Sequence, residues 1–140
     1  MPKITRSKKQ SSQKKPRILI VEDDTFLAGI YASKFESAGF AVTLVTDGEA
    51  GLKMAEKEIP DAILLDVLLP KKDGFEVLEG IKRNAATHSV PVLLLTNLGQ
   101  REDVERGLKL GASDYLIKAH FLPHETVDKV KRVLAAAKGK

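Results

Sequence analysis

The sequence predicts an α/β fold built on a parallel, doubly wound sheet, and three observations predict it. Five short runs rich in β-branched residues and leucine recur from Arg17 onward. Longer stretches with apolar residues at three-and-four spacing lie between them in strict alternation, the pattern of βα units that pair in parallel. Ile18 to Val21, Ile63 to Leu65 and Val92 to Leu95 are apolar at successive positions, as strands covered by helices on both faces require.

Arg17 to Glu22 is the first strand. Leu27, Ile30, Tyr31, Phe35 and Ala38 share a face of the helix that follows, and Gly39 stands where a left-handed C-terminal residue is expected. Ala41 to Val45 alternates more and is expected at a sheet edge. Glu49 to Lys57, with Leu52 and Ala55 on its inner stripe, predicts the second helix before Pro60. Asp61 to Asp66 is the third strand, and Phe75, Leu78, Ile81 and Lys82 continue a third helix. Val90 to Leu95 is the fourth strand. Val104 and Leu108, followed by Gly111, mark a fourth helix with a thin apolar face, expected to be the least stable and a candidate moving part. After a fifth strand, Asp114 to Lys118, Pro123 opens a fifth helix with Val127, Val130, Val133, Leu134 and Ala137 facing inward. Five strands and five helices joined by right-handed crossovers predict the strand order 2-1-3-4-5, the flavodoxin-like arrangement.

Composition bounds the rest. A chain of 140 residues suits one domain with a real core, here residues 17–138. No apolar run approaches the roughly 20 residues that span a bilayer, so membrane insertion is excluded. The chain has no cysteine, which excludes disulfides and thiolate metal sites and suits a reducing compartment, and no apolar segment of a signal peptide follows the basic N-terminus. The expected location is cytoplasmic. Residues 1 to 17 carry seven basic side chains and no acid, leaving 16 basic against 19 acidic residues downstream. Residues 1–16 therefore read as a disordered basic tail, more a solubilising segment than a nucleic-acid arm. Nucleic acid is disfavoured as a partner, save for weak contact by that tail.

In a sheet of this order, ligands sit beyond the carboxyl ends of the strands, at the switch point between strands one and three. The polar residues stand there: Glu22, Asp23 and Asp24 end the first strand, Asp66 the third, Thr96 the fourth and Lys118 the fifth. Carboxylates converging on one crevice repel each other unless a cation is present, and a hard oxygen site suits Mg²⁺ better than Zn²⁺. Asp66, ionised at neutral pH without a base, can act as a nucleophile toward phosphorus. Lys118 offers a mobile positive charge and Thr96 a hydroxyl donor to phosphoryl oxygens. Asp24 sits just before the first helical residues and reads as a helix cap. His88, His120 and His124 match no metal spacing and read as loop or helix-start residues.

The runs ILIVEDD, ILLDVLLPKKDG, VLLLT and SDYLIK resemble those of response-regulator receiver domains of bacterial two-component systems. The likeness extends over about residues 17–138, and the spacings of 43 residues from Asp23 to Asp66, 30 from Asp66 to Thr96 and 22 from Thr96 to Lys118 are family-like. The resemblance implies a phosphorylation-dependent switch. A sensor histidine kinase or histidine phosphotransfer protein would donate a phosphoryl group to Asp66 with Mg²⁺. Asp23 would bind the ion directly, Glu22 through water, and the backbone carbonyl of Leu68 would be a further ligand beside Asp66. Lys118 and Thr96 would contact the phosphoryl group, with Tyr115 as the aromatic switch residue. The resemblance also implies a protein that catalyses only its own phosphotransfer and dephosphorylation. Its output would be the face of helix four, strand five and helix five, read by an unknown downstream protein target, with a phosphorylation-dependent homodimer as an option. A stand-alone, chemotaxis-regulator-like receiver is favoured over a fragment. Asp73-Gly74, after Pro70, resembles the loop into the third helix, where Gly74 permits a turn that a side chain would hinder.

Two positions depart from the family. Ala119 stands where a proline in a cis bond is usual; a cis bond before alanine costs about 2.5–4 kcal/mol, so a trans or strained bond and a rearranged loop from Ala119 to Leu122 are predicted. Asn97 replaces a very small residue and is expected to narrow the approach to Asp66. Leu68 and Leu98 flank the path of water to an acyl phosphate and predict a long-lived phosphorylated state. An aspartyl-phosphate hydrolase is the rival enzyme reading, but it needs a second acid where Leu68 stands. A pure interaction module that lost phosphorylation is the other rival, supported by Ala119 alone.

Overall fold

A computed structural model describes residues 15–97, 101–118 and 122–138. The elements, in chain order, are β1 (Arg17–Val21), α1 (Thr25–Ser37), β2 (Ala41–Val45), α2 (Gly48–Glu58), β3 (Ala62–Asp66), α3 (Gly74–Arg83), β4 (Val92–Thr96), α4 (Arg101–Lys109), β5 (Asp114–Ile117) and α5 (Pro123–Lys138). The strands form one parallel sheet in the order β2-β1-β3-β4-β5, as expected from the alternation. Residues 1–14 of the expected tail lie outside the described residues.

Side chains alternate across the sheet and divide the core in two. Leu19, Val21, Ile63, Leu65, Val92 and Leu94 pack with Phe75, Leu78 and Ile81 of α3 and Ala55 of α2. Ile18, Ile20, Leu64, Leu93, Leu95 and Leu116 pack on the other side with Tyr31 and Phe35 of α1 and Val127 and Val130 of α5. That double cover explains why β1, β3 and β4 read as continuous apolar runs while β2, at the edge, does not. Among the described residues no helix is long and apolar enough to cross a membrane.

Element ends follow local chemistry. Asp24, Asp47 and Asp73 cap α1, α2 and α3, each carboxylate accepting a backbone N–H three residues on. Gly39 has φ +96°, the left-handed residue expected after α1. β4 begins at Val92 rather than Val90 because Pro91 has no N–H for the ladder; its carbonyl instead accepts from Ile63 N at 3.0 Å.

Two inward assignments are corrected. Leu108 is exposed, and Gly107 occupies the inner face of α4, because a side chain there would run into the Leu94 methyl. Ala137, in the last turn of α5, is likewise exposed, beyond the inward run that ends with Val133 and Leu134.

Candidate functional site

Parallel pairing in register brings the strand ends to one edge. Val21 pairs with Leu65, Asp66 with Leu95 and Thr96 with Ile117, so Glu22 and Lys118, one residue past β1 and β5, arrive beside Asp66 and Thr96. The segment after β3 is tied down closely. Lys71 has φ +70° and Lys72 N donates to Pro70 O at 2.7 Å, a tight three-residue turn around a residue that rarely adopts this backbone. Gly48 N, at the start of α2, donates to Pro70 O at 3.2 Å, and Gly74 N donates to Val67 O at 2.8 Å.

Gly74 stands, as expected, where a side chain would be in the way, and the obstacle is backbone. Its φ is not in the left-handed region; instead, a Cβ there would collide with the carbonyl oxygen of Asp66 and the Cα of Val67. Close approach of α3 to β3 holds the backbone of Asp66 itself. A capping box between Asp73 and Glu76 fixes the start of that helix.

Glu22 is fully buried and Asp66 is 3% exposed, whereas Asp23 faces solvent. The Lys118 ammonium bridges the two buried acids, 2.8 Å from Glu22 Oε1 and 3.0 Å from Asp66 Oδ2. Asp66 Oδ1 accepts from Leu68 N at 3.2 Å, and Glu22 Oε2 accepts from Asp24 N at 3.1 Å. Burial pushes the Glu22 carboxyl above its ordinary value; Lys118 pulls it back, but the neighbouring Asp66 charge adds to the rise. For Lys118, burial acts to lower the ammonium, yet its ion pairs with Glu22 and Asp66 outweigh that and hold it above the usual lysine range.

The expected acidic trio is assembled. Among the described residues, Glu22, Asp23 and Asp66 each offer a carboxylate oxygen, all within 4.8 Å of one another. Three carboxylates face one ammonium, and Glu22 Oε1, although in ionic contact with Lys118, receives no well-directed hydrogen bond. An excess of negative charge on hard oxygens, with a buried carboxylate oxygen still lacking a directed donor, fits a small dication such as Mg²⁺. Lys118 is the positive group that partly offsets that excess in the structure itself.

The other expected residues fall into place unevenly. Thr96 is buried at the same edge. Tyr115 is half-buried and packs on the α3 side of the sheet, pairing through its backbone with Leu94. Leu68 points its side chain outward, 67% exposed, two residues past Asp66. Asp24 caps α1 through Leu27 N at 3.1 Å, as read from the sequence. His88 and His124 are exposed and belong to no metal-holding group among the described residues. Ala119, His120 and Leu98 lie outside the described residues, and with them the expected rearranged loop and the paired leucine shield.

Sequence reasoning missed two polar side chains buried beneath the site, Tyr31 of α1 and Thr126 of α5. Tyr31 was legible only as part of an apolar stripe. Thr126, directly before the inward Val127, was the available signal.

Residues 18–131 match the family model described as the response regulator receiver domain. The chain is 41% identical over 120 residues to the DNA-binding dual master transcriptional regulator RpaA of Synechocystis, covering 86% of this chain and 48% of that protein. It thus spans about half the length of the curated relatives it matches. A crystal structure of a putative response regulator from Chloroflexus aurantiacus superposes with a TM-score of 0.82 at 37% identity, covering 87% of this chain and 99% of that one. The receiver domain of the sensor histidine kinase PA1611 from Pseudomonas aeruginosa, solved with a magnesium ion in its active-site cleft, has a TM-score of 0.77 at 32% identity, covering 90% of this chain and 99% of that one.

Proposed function

This chain belongs to the response regulator receiver family, whose general function is phosphorylation-dependent switching, and from that premise we propose that Asp66 is the residue that accepts the phosphoryl group. The observation that carries the proposal is the Lys118 ammonium held 2.8 and 3.0 Å from two buried carboxylates, Glu22 and Asp66, at the switch point of the sheet. A cation fixed there meets a phosphoryl oxygen as it arrives and needs no rearrangement to do so.

The donor is a phosphohistidine of a sensor histidine kinase or a histidine phosphotransfer protein. A carboxylate oxygen of Asp66 forms the new O–P bond as the P–N bond of the donor breaks, and the imidazole leaves. Lys118 and Thr96 hold phosphoryl oxygens. Glu22 and Asp23, with the Leu68 carbonyl and Asp66, would hold Mg²⁺, which when bound supplies charge neutralisation at the phosphoryl oxygens. Leu68 N, already bonded to Asp66 Oδ1, orients the acceptor. Gain and loss of this one group is the only chemistry assigned to the chain. Residues 17–138 form the receiver unit, the setting is the cytoplasm, and Tyr115 follows Thr96 to alter the face of α4, β5 and α5 for a downstream protein target.

Beryllofluoride, which mimics an aspartyl phosphate, tests the reading. Mg²⁺-dependent binding that disappears in Asp66→Ala is expected. Binding that survives the substitution, or none in the parent protein, overturns it.

A further inference from the structure

At the edge of the sheet opposite Asp66, a cavity of about 530 Å³ opens beside the amino ends of β4 and β5. Small-molecule sites usually enclose roughly 300–1,000 Å³. Pro91 and Ser113, the residues directly before those strands, line it with Ser89, Val133 and Ala136 of α5, and Lys82 of α3. Among the described residues, Lys82 is the one charged side chain in that lining.

The nitrogen of Lys82 is held in one place. Nζ donates to His88 O at 2.9 Å and to Val90 O at 3.1 Å. A Cβ at Gly111 would come within 3.2–3.3 Å of Lys82 Cγ, Cδ and Cε, so the stem lies along the turn that follows α4. Among the described residues no carboxylate pairs with this nitrogen. Neutral carbonyls offset a positive charge less than a carboxylate does, and burial lowers the ammonium below the ordinary lysine value. Two acceptors also suit the neutral amine. It has two N–H donors, one for each carbonyl, and its lone pair takes the remaining tetrahedral position, on a side chain that lines the cavity.

We propose that Lys82 is a nucleophilic lysine and an acylation site, and that the cavity beside it takes a small acyl phosphate. The nitrogen lone pair attacks the carbonyl carbon of the donor. The C–N bond forms as the bond from that carbon to the phosphate oxygen breaks, and the proton lost from nitrogen leaves with the phosphate. The Ser89 and Ser113 hydroxyls are the donors that the cavity offers to the oxygens of the acyl phosphate. The product amide keeps a single N–H, so either His88 O or Val90 O loses its donor and the acyl group comes to lie between the start of β4 and α5. The proposal does not depend on Asp66 being the phosphoryl acceptor: a carboxylate there attacks phosphorus, whereas Lys82 attacks carbon.

The test uses the full chain with acetyl phosphate in Mg²⁺-free buffer and follows acetylation lysine by lysine by peptide mass spectrometry. Each pH unit by which burial lowers an ammonium raises its amine fraction about tenfold, and Lys82 is expected to acetylate about tenfold faster than Lys53 and Lys57, exposed lysines of α2. Ala136→Leu, which puts a larger side chain into the cavity from the exposed end of α5, should slow Lys82 severalfold and leave Lys53 and Lys57 at their parent rates. Acetylation of Lys82 no faster than that of the two α2 lysines overturns the inference, as does an Ala136→Leu protein in which Lys82 reacts at the parent rate.

Discussion

α3 and α4 follow the two strands that deliver Asp66 and Thr96, yet the protein holds them very differently. α3 buries Gly74, Phe75, Val77, Leu78 and Ile81 and opens with a capping box. α4 buries only Gly107 and leaves Leu108 exposed, with Val104 and Leu110 half-buried. The Arg106 guanidinium lies over the Phe75 ring, 4.2 Å from its centroid, and links the two helices. Each fully buried aliphatic or aromatic side chain contributes about 1.5–3 kcal/mol, so α3 is secured by several such increments and α4 by part of one or two. The backbone of Asp66 is thereby fixed. The helix after Thr96 is held by far less buried surface, and the proposed switch predicts that it is the one to shift.

Substitutions on the two helices can break this contrast. Leu78→Ala is expected to cost about 2–5 kcal/mol in urea unfolding, the usual range for a buried leucine. Val104→Ala is expected to cost less than about 1 kcal/mol. Equal losses would remove the basis for calling α4 the adjustable element. Native-state amide exchange sharpens the comparison: α3 amides should open with a free energy near the global value, and α4 amides well below it. The smallest effect expected is that of Arg106→Ala, which removes the cation–π contact and should cost about 0.5–1 kcal/mol while speeding exchange in α4 more than in α3.

The fold was largely legible because strands buried on both faces have to be apolar throughout, and β1, β3 and β4 are. Asp66, Thr96 and Lys118 were legible because a strand end in a parallel sheet is a fixed place. What was hidden depends on close approach, which apolar periodicity does not register. Gly107 replaces Leu108 on the inner face of α4 because the Leu94 methyl leaves no room for a Cβ. The sequence marked Gly74 as a place where a side chain would be hindered, but not that the obstacle is the Asp66 carbonyl.

The most direct measurement is amide exchange of the full chain with and without Mg²⁺ and beryllofluoride, in the parent protein and in Asp66→Ala. The account predicts altered protection in α4 and β5, little change in α3, and no response in Asp66→Ala. A response of equal size in α3 and α4, or one that survives the loss of Asp66, would contradict it.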